Sequence, residues 1–216
     1  TKTLTSRYRY DDKGQLSEMT DYSVSSETET AYRYTEYSYD TRGRITTFAE
    51  ISQNAQPTAD DIKAHQIRYT YNENGNLSKV SYPTTKDGIQ SLSYIYDENG
   101  WLQEIKGELH SKGQTTEKVL RSYTYDTFGR LVKTVTTDYK KNDQTKTITY
   151  TYDNVGNRLK EDDGTTTTSY TYNGLDQLKT STKEKGTAVE EVRQYDYDMN
   201  GNQTDVKNTK TGENQT

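Results

Sequence analysis

Eight copies of one nine-residue pattern run through this sequence and leave few folds open to it. The clearest copy, residues 123–131, reads Tyr-x-Tyr-Asp-x-x-Gly-x-Leu. Two tyrosines separated by one residue face the same side of a β-strand. An aspartate followed by glycine three residues later favours a tight turn, because aspartate accepts backbone N–H bonds and glycine tolerates positive φ. Each copy therefore predicts a β-hairpin, in which Tyr125 lies opposite Leu131.

The copies begin 20 to 32 residues apart, a spacing typical of a supersecondary repeat. The seventh copy has Asp176 at the glycine position, and aspartate enters the left-handed region at modest cost, so we predict that this hairpin forms. In the last copy Gln203 replaces the leucine, and we expect that hairpin to be frayed. The predicted structural residues of the motif are Tyr8, Tyr10, Asp11, Gly14, Tyr37, Tyr39, Asp40, Gly43, Tyr69, Tyr71, Asn72, Gly75, Tyr94, Tyr96, Asp97, Gly100, Tyr123, Tyr125, Asp126, Gly129, Leu131, Tyr150, Tyr152, Asp153, Gly156, Tyr170, Tyr172, Asn173, Tyr195, Tyr197, Asp198 and Gly201.

The composition favours a repeat sheet over an ordinary globule. Hydrophobic residues make up 28% of the chain, far below the roughly 45–50% of typical domains. Disordered chains are poor in aromatic residues and carry a high net charge, whereas this chain has a net charge of −5, 11% aromatic residues and 21 tyrosines. We therefore predict an all-β array of antiparallel hairpins, each packed mainly on its neighbours, in a curved or spiralling sheet.

The array is predicted to span residues 1–206, followed by a polar tail at residues 207–216 that lacks an apolar anchor. The longest interruption lies between residues 52 and 66. There Thr58, followed three residues later by Asp61, predicts a short capped helix. No apolar stretch is long enough to span a membrane, and no signal peptide is recognisable. The chain begins at Thr1 rather than methionine, and we interpret it as part of a longer protein.

The eight units resemble the YD repeats of the RHS family, whose signature is Tyr-x-Tyr-Asp-x-x-Gly followed by Arg or Asn and Leu. Residues 126–131 match its second half fully, and residues 150–158 and 170–178 carry variants of it. This resemblance implies a hairpin sheet that forms the wall of a hollow shell, as in bacterial polymorphic toxins, toxin-complex C components and teneurins. It also implies a secreted or cell-surface location, and as partners the rest of the shell and an enclosed C-terminal toxin or effector. The family's self-cleavage segment has no counterpart here.

The sequence gives no indication of catalysis. Its two histidines, His65 and His110, lie outside the repeat motif, and neither a GxSxG elbow nor an HExxH pair occurs. The DxNG strings at residues 97–100 and 198–201 resemble fragments of calcium loops but lack the further ligands and the closing glutamate. We therefore expect structural turns there, with no enzyme activity, cofactor or metal.

A second interpretation is a surface adhesion or carbohydrate-binding module. Tyrosine rings and the single tryptophan, Trp101, could stack on sugar rings. Sheet packing explains the paired tyrosines more simply, and Trp101 is then a plug on a sheet face. Nucleic acid is not an expected partner, because basic residues are scattered and the net charge is negative. Exposed strand edges could also pair the array with another copy.

Overall fold

The computed structural model describes residues 3–25, 28–52, 56–84 and 87–209. It contains one α-helix, α1 at Ala59–Ala64, and one 3-10 turn at Tyr139–Lys141. Sixteen strands make up most of the rest: β1 Thr3–Tyr10, β2 Leu16–Ser25, β3 Thr28–Tyr39, β4 Ile45–Ile51, β5 Ile67–Tyr71, β6 Leu77–Ser81, β7 Gly88–Tyr96, β8 Leu102–Ser111, β9 Gln114–Tyr125, β10 Leu131–Asp138, β11 Gln144–Tyr152, β12 Arg158–Asp162, β13 Thr166–Tyr172, β14 Leu178–Lys185, β15 Ala188–Tyr197 and β16 Gln203–Thr209.

The strands form an antiparallel sheet in which neighbours in sequence are neighbours in the sheet, from β1 to β16. The predicted all-β fold of tandem hairpins is thus confirmed. The connection between the first two repeats belongs to β2 and β3. Within the described ranges, both helical segments are far too short and polar to cross a membrane.

The turns have the geometry that the motif predicts. In the fifth copy, Asp126 N–H donates to the carbonyl of Arg130 at 2.9 Å, and Gly129 N–H donates back to Asp126 at 3.0 Å. Gly129 has φ +79°, the left-handed conformation that closes such a turn. The register then shifts by one residue, so Tyr125 faces Leu131 as predicted. This shift is the bulge that accompanies a three-residue hairpin loop.

The two variant copies also fold as hairpins. Asp176 takes φ +58°, and its N–H donates to the carbonyl of Asn173 at 3.1 Å, as predicted for a residue that tolerates the left-handed region. The last hairpin is not frayed: β16 pairs with β15 from Thr209 opposite Val192 to Gln203 opposite Tyr197. Backbone pairing does not depend on leucine at that position. The polar tail was predicted to start at residue 207, but β16 ends at Thr209; residues 210–216 lie outside the described part.

The chain divides into two compact units, Thr1–Tyr96 with Glu104–Val119, and Asp97–Gln103 with Leu120–Thr216. The first unit has a small core, whose buried apolar side chains are Tyr34, Ala49, Ile51, Val80 and Leu109. Among the described residues of the second unit, none is buried. Its stability therefore depends on partly exposed contacts between adjacent strands.

Two local features complete the first unit. The predicted helix is present, and its capping box is complete: the Thr58 hydroxyl accepts from Asp61 N–H, and the Asp61 carboxylate accepts from Thr58 N–H. Asp21, almost fully buried, accepts hydrogen bonds from Ser6 Oγ at 2.5 Å and Arg33 Nε at 2.7 Å. Hydrogen bonding from Ser6 and pairing with Arg33 outweigh burial and lower the pKa of Asp21. This network joins β1, β2 and β3.

Candidate functional site

From the second repeat onward, the second tyrosine of each repeat links its hairpin to the preceding one. Its hydroxyl donates to the backbone carbonyl of the residue that starts the return strand of the previous hairpin, at 2.8 or 2.9 Å. A buried Tyr O–H usually finds such a partner. We call this set the tyrosine ladder; its donor and acceptor pairs are Tyr39 and Leu16, Tyr71 and Ile45, Tyr96 and Leu77, Tyr125 and Leu102, Tyr152 and Leu131, Tyr172 and Arg158, and Tyr197 and Leu178.

The rings of the tyrosine ladder are partly shielded from water. Burial raises the pKa of Tyr125 and of Tyr96 above the ordinary tyrosine value. Their hydroxyls therefore stay protonated and act as donors well above neutral pH. Tyr10, in the first repeat, has no preceding hairpin in this chain and is 62% exposed.

A second set of contacts, the turn ladder, comes from the residue that follows the turn glycine. In the second repeat, Arg44 pairs with the carboxylate of its own Asp40 at 2.7 Å and donates Nη1–H to the carbonyl of Gly75 in the next turn at 3.2 Å. Its guanidinium also lies 4.1 Å from the ring centre of Tyr71. Arg44 therefore contacts its own turn, the next turn and a tyrosine of the tyrosine ladder.

The same position bridges turns elsewhere in the chain. Arg130 pairs with Asp126 at 2.7 Å, donates to the carbonyl of Asp153 at 2.7 Å and lies 5.0 Å from the ring centre of Tyr152. Asn157 donates Nδ2–H to its own Asp153 and to Asp176 Oδ1 of the next turn, at 3.1 and 2.9 Å. Side-chain N–H donors thus hold successive turns side by side.

Trp101 occupies this position in the fourth repeat and bridges by packing. A Cβ atom added at Gly129 would lie 2.6 Å from Trp101 Cζ2, so the indole rests directly on the glycine backbone of the next turn. The ring centre of Trp101 is 5.5 Å from that of Tyr125. The indole is half-buried in a contact between repeats.

Sequence reasoning found the turn and tyrosine residues but missed the bridging position. The motif aspartates bind as predicted: Asp126 Oδ1 accepts from Phe128 N–H and Arg130 N–H at 2.9 and 3.0 Å. The bridging position carried a usable signal, because all eight copies have a side chain with an N–H donor there. These residues are Gln15, Arg44, Asn76, Trp101, Arg130, Asn157, Gln177 and Asn202.

The two histidines have local structural partners. His65 caps the C-terminus of α1, with Nδ1 at 2.8 Å from the Asp61 carbonyl, and His110 lies in β8 with Nδ1 at 3.3 Å from Thr115 Oγ1. Among the residues that the structure describes, no cluster of three or more His, Cys, Asp or Glu could hold a metal ion. In the DxNG strings, Asp97 and Asp198 use Oδ1 to accept backbone N–H bonds within the turn.

Comparison with known proteins agrees with this repeat geometry. The family model described as Teneurin YD-shell matches residues 2–211. The chain belongs to the YD-shell family. No curated protein matches.

Two solved structures resemble the YD-shell chain at low identity. A chain of the Photorhabdus luminescens Tc holotoxin pore is 16% identical, with a TM-score of 0.43, and the match covers 97% of this chain but 14% of that one. A chain in the crystal structure of TcdB2-TccC3-TEV is also 16% identical, with a TM-score of 0.42, and the match covers 94% of this chain and 11% of that one. This YD-shell chain therefore spans a small part of the proteins it resembles.

Proposed function

We propose that this chain is a segment of the wall of a secreted or surface shell and acts by enclosing a C-terminal toxin or effector. The observation that carries the proposal is the pair of ladders between repeats. Hydrogen bonds from a tyrosine and from a bridging side chain tie one hairpin to the next in both units. Such contacts stiffen a thin sheet without a deep core, which is the property a wall needs. The family assignment supports the same role.

The motif side chains support a structural rather than a chemical role. Ladder hydroxyls are bonded to backbone carbonyls, and turn carboxylates are bonded to backbone N–H groups. We therefore propose that the wall itself is not an enzyme. Trp101 does not favour the carbohydrate-binding alternative, because its indole packs against Gly129 and Tyr125.

Limited proteolysis tests enclosure in the longer protein that carries the array. Replacing Tyr125, Tyr152 and Tyr172 together by phenylalanine removes three consecutive ladder bonds. We expect a trypsin-resistant segment outside the array to become cleavable in this variant, whereas Tyr10→Phe leaves it protected. A longer protein with no protected segment would contradict the proposal. Saturable quenching of Trp101 fluorescence by an oligosaccharide would favour the carbohydrate-binding alternative instead.

A further inference from the structure

The motif turns of the last four repeats, all in the second unit, carry apolar side chains at their tips. Phe128, Val155 and Leu175 occupy the residue before the glycine position and are 81%, 72% and 79% exposed, while Met199, one residue earlier in its turn, is completely exposed. We call these four side chains the apolar rim. The first three repeats, in the first unit, have Lys13, Arg42 and Asn74 at that position.

The apolar rim is an ordered row. Its four turns are the odd-to-even connections of consecutive hairpins, from the β9–β10 turn to the β15–β16 turn, so they lie at one rim of the antiparallel sheet. Adjacent tips are two strands apart, or about 10 Å at about 4.8 Å per strand. The turn ladder fixes this spacing through Arg130 on the Asp153 carbonyl and Asn157 on Asp176.

The backbone N–H groups at three of these tips have hydrogen-bond partners within their own turns. The N–H groups of Phe128, Val155 and Leu175 donate to the turn Asp or Asn side chains at 2.9, 3.1 and 3.0 Å. The neighbours Thr127, Asn154, Gly174 and Asn200 are uncharged, whereas Leu175 and Met199 each adjoin an aspartate. The side chains of those aspartates are hydrogen-bonded, Asp176 Oδ1 to Asn157 Nδ2 and Asp198 Oδ2 to Asn202 Nδ2, both at 2.9 Å. The Asp126 carboxylate is paired with Arg130, whose guanidinium lies 5.2 Å from the Phe128 ring centre. A satisfied backbone lowers the cost of entering an apolar phase.

We propose that the apolar rim is a lipid-contact site that inserts into the interfacial region of a neutral bilayer. The tips are single side chains about 10 Å apart with polar turns between them, a spacing set by the strands. A protein partner would need pockets matched to each tip, whereas lipid chains fill any gap between tips. Interfacial apolar side chains are typical of proteins that lie on a membrane. The net charge of −5 means that anionic lipid adds no attraction.

Two turns of the same sequence type provide a matched comparison. Residues 126–130 read Asp-Thr-Phe-Gly-Arg and residues 40–44 read Asp-Thr-Arg-Gly-Arg. The chain has no cysteine, so Thr127→Cys and Thr41→Cys each accept one environment-sensitive fluorophore without disturbing a native thiol. With phosphatidylcholine vesicles, we expect the label at residue 127 to shift to shorter wavelength and brighten, and the label at residue 41 to remain unchanged.

Removal of the apolar tips should abolish the response. In the double variant, Phe128→Arg gives the fifth turn the sequence of the second, and Leu175→Ser removes another apolar tip. The turn hydrogen bonds of residues 128 and 175 come from their backbone N–H groups, so neither substitution removes a donor. We expect at least about tenfold weaker partitioning onto the vesicles, since burial of one large apolar side chain is worth about one power of ten or more in a partition constant. Arg42→Ser with Lys13→Ser is the control and should partition like the wild-type chain.

Three outcomes would overturn the proposal. One is the absence of any response at residue 127 up to saturating phosphatidylcholine. Another is a response that requires anionic lipid and disappears with salt, which would indicate electrostatic binding elsewhere. The third is a shift at residue 127 that follows protein concentration without vesicles, which would assign the apolar rim to contact with a second copy.

Discussion

The hydroxyl oxygen of the second motif tyrosine explains why phenylalanine would not serve equally well at that position. Tyr152 donates to the Leu131 carbonyl at 2.8 Å, and loss of this bond leaves a partly buried carbonyl without its partner. We predict that Tyr152→Phe lowers the free energy of unfolding by about 0.5–1.5 kcal/mol. Tyr10→Phe is the control, because Tyr10 is 62% exposed and has no such bond among the described residues, and it should change little. Equal losses in urea titrations of the two variants would contradict the tyrosine ladder.

Gly129 is constrained twice, by its own backbone and by its neighbour. Its φ of +79° matches the +78° of Gly14, but a Cβ atom at Gly129 would lie 2.6 Å from Trp101, whereas Gly14 has nothing within 4 Å. We predict that Gly129→Ala destabilises the protein by about 1–3 kcal/mol more than Gly14→Ala, the usual cost of overpacking. Trp101→Ala should remove most of that excess in a double-mutant cycle. If Gly129→Ala is still more destabilising than Gly14→Ala when Trp101 is replaced by alanine, the packing contact does not explain the difference.

At the scale of the hairpin, the turn carboxylates make the stability of the fold depend on pH. The largest effect on Asp198 is the hydrogen bond from the Asn202 side chain, and with the turn N–H groups it lowers the pKa of Asp198. Burial alone would raise the pKa of Asp153, but hydrogen bonds from Asn157, Gly156 and Val155 outweigh it, so that pKa is lowered as well. A carboxyl group with a lowered pKa in the folded protein stabilises the fold at pH values above its pKa in the unfolded chain, about 3.9. This contribution is lost as the pH falls through the pKa of the folded state.

The seventh repeat suggests how to remove this acid dependence while keeping the turn. There Asn173 Oδ1 accepts the same two backbone N–H bonds that the aspartates accept, at 3.0 Å each. We predict that Asp153→Asn with Asp198→Asn keeps the hairpins at neutral pH and loses less stability than the wild-type chain between about pH 5 and about pH 2. Urea titrations across that range measure the difference. Parallel loss in both proteins would show that other groups control acid unfolding.

The hairpins themselves could be predicted from the sequence because their geometry is local. The DxxG turn, the bulge and the pairing of Tyr125 with Leu131 follow from residues within nine positions of one another. The contacts between hairpins could not, since they depend on the stagger of adjacent strands. The carbonyl that accepts from Tyr152 is 21 residues away in sequence. The two turns that Asn157 bridges are separated in sequence by the strands β12 and β13. The periodic N–H donor after the glycine was visible, but its partner was not.

At the scale of the whole chain, the two units differ in where their stability arises. The first unit contains all the described buried residues, such as Tyr34 and Thr35 in β3 and Ala49 in β4. The described part of the second unit has none, so its hairpins are held by the ladders and by backbone pairing. In repeat proteins of this kind, stability is roughly the sum of unit stabilities and nearest-neighbour contacts.

This difference predicts that the units open with different free energies. Backbone amides in β3 and β4 should exchange with solvent only through rare openings of the buried core, because their strands carry the side chains with the least exposure. Amides in β13 and β14 lie between partly exposed side chains and should exchange through smaller, more frequent openings.

Hydrogen exchange followed by mass spectrometry measures both sets in one sample at neutral pH. Tyr172→Phe should increase exchange in β13 and leave β3 and β4 unchanged, because its ladder bond joins β13 to the start of β12 within the second unit. Equal protection of all four strands would show that one cooperative transition controls both units, in which case local contacts between repeats would not be the main source of stability in the second unit.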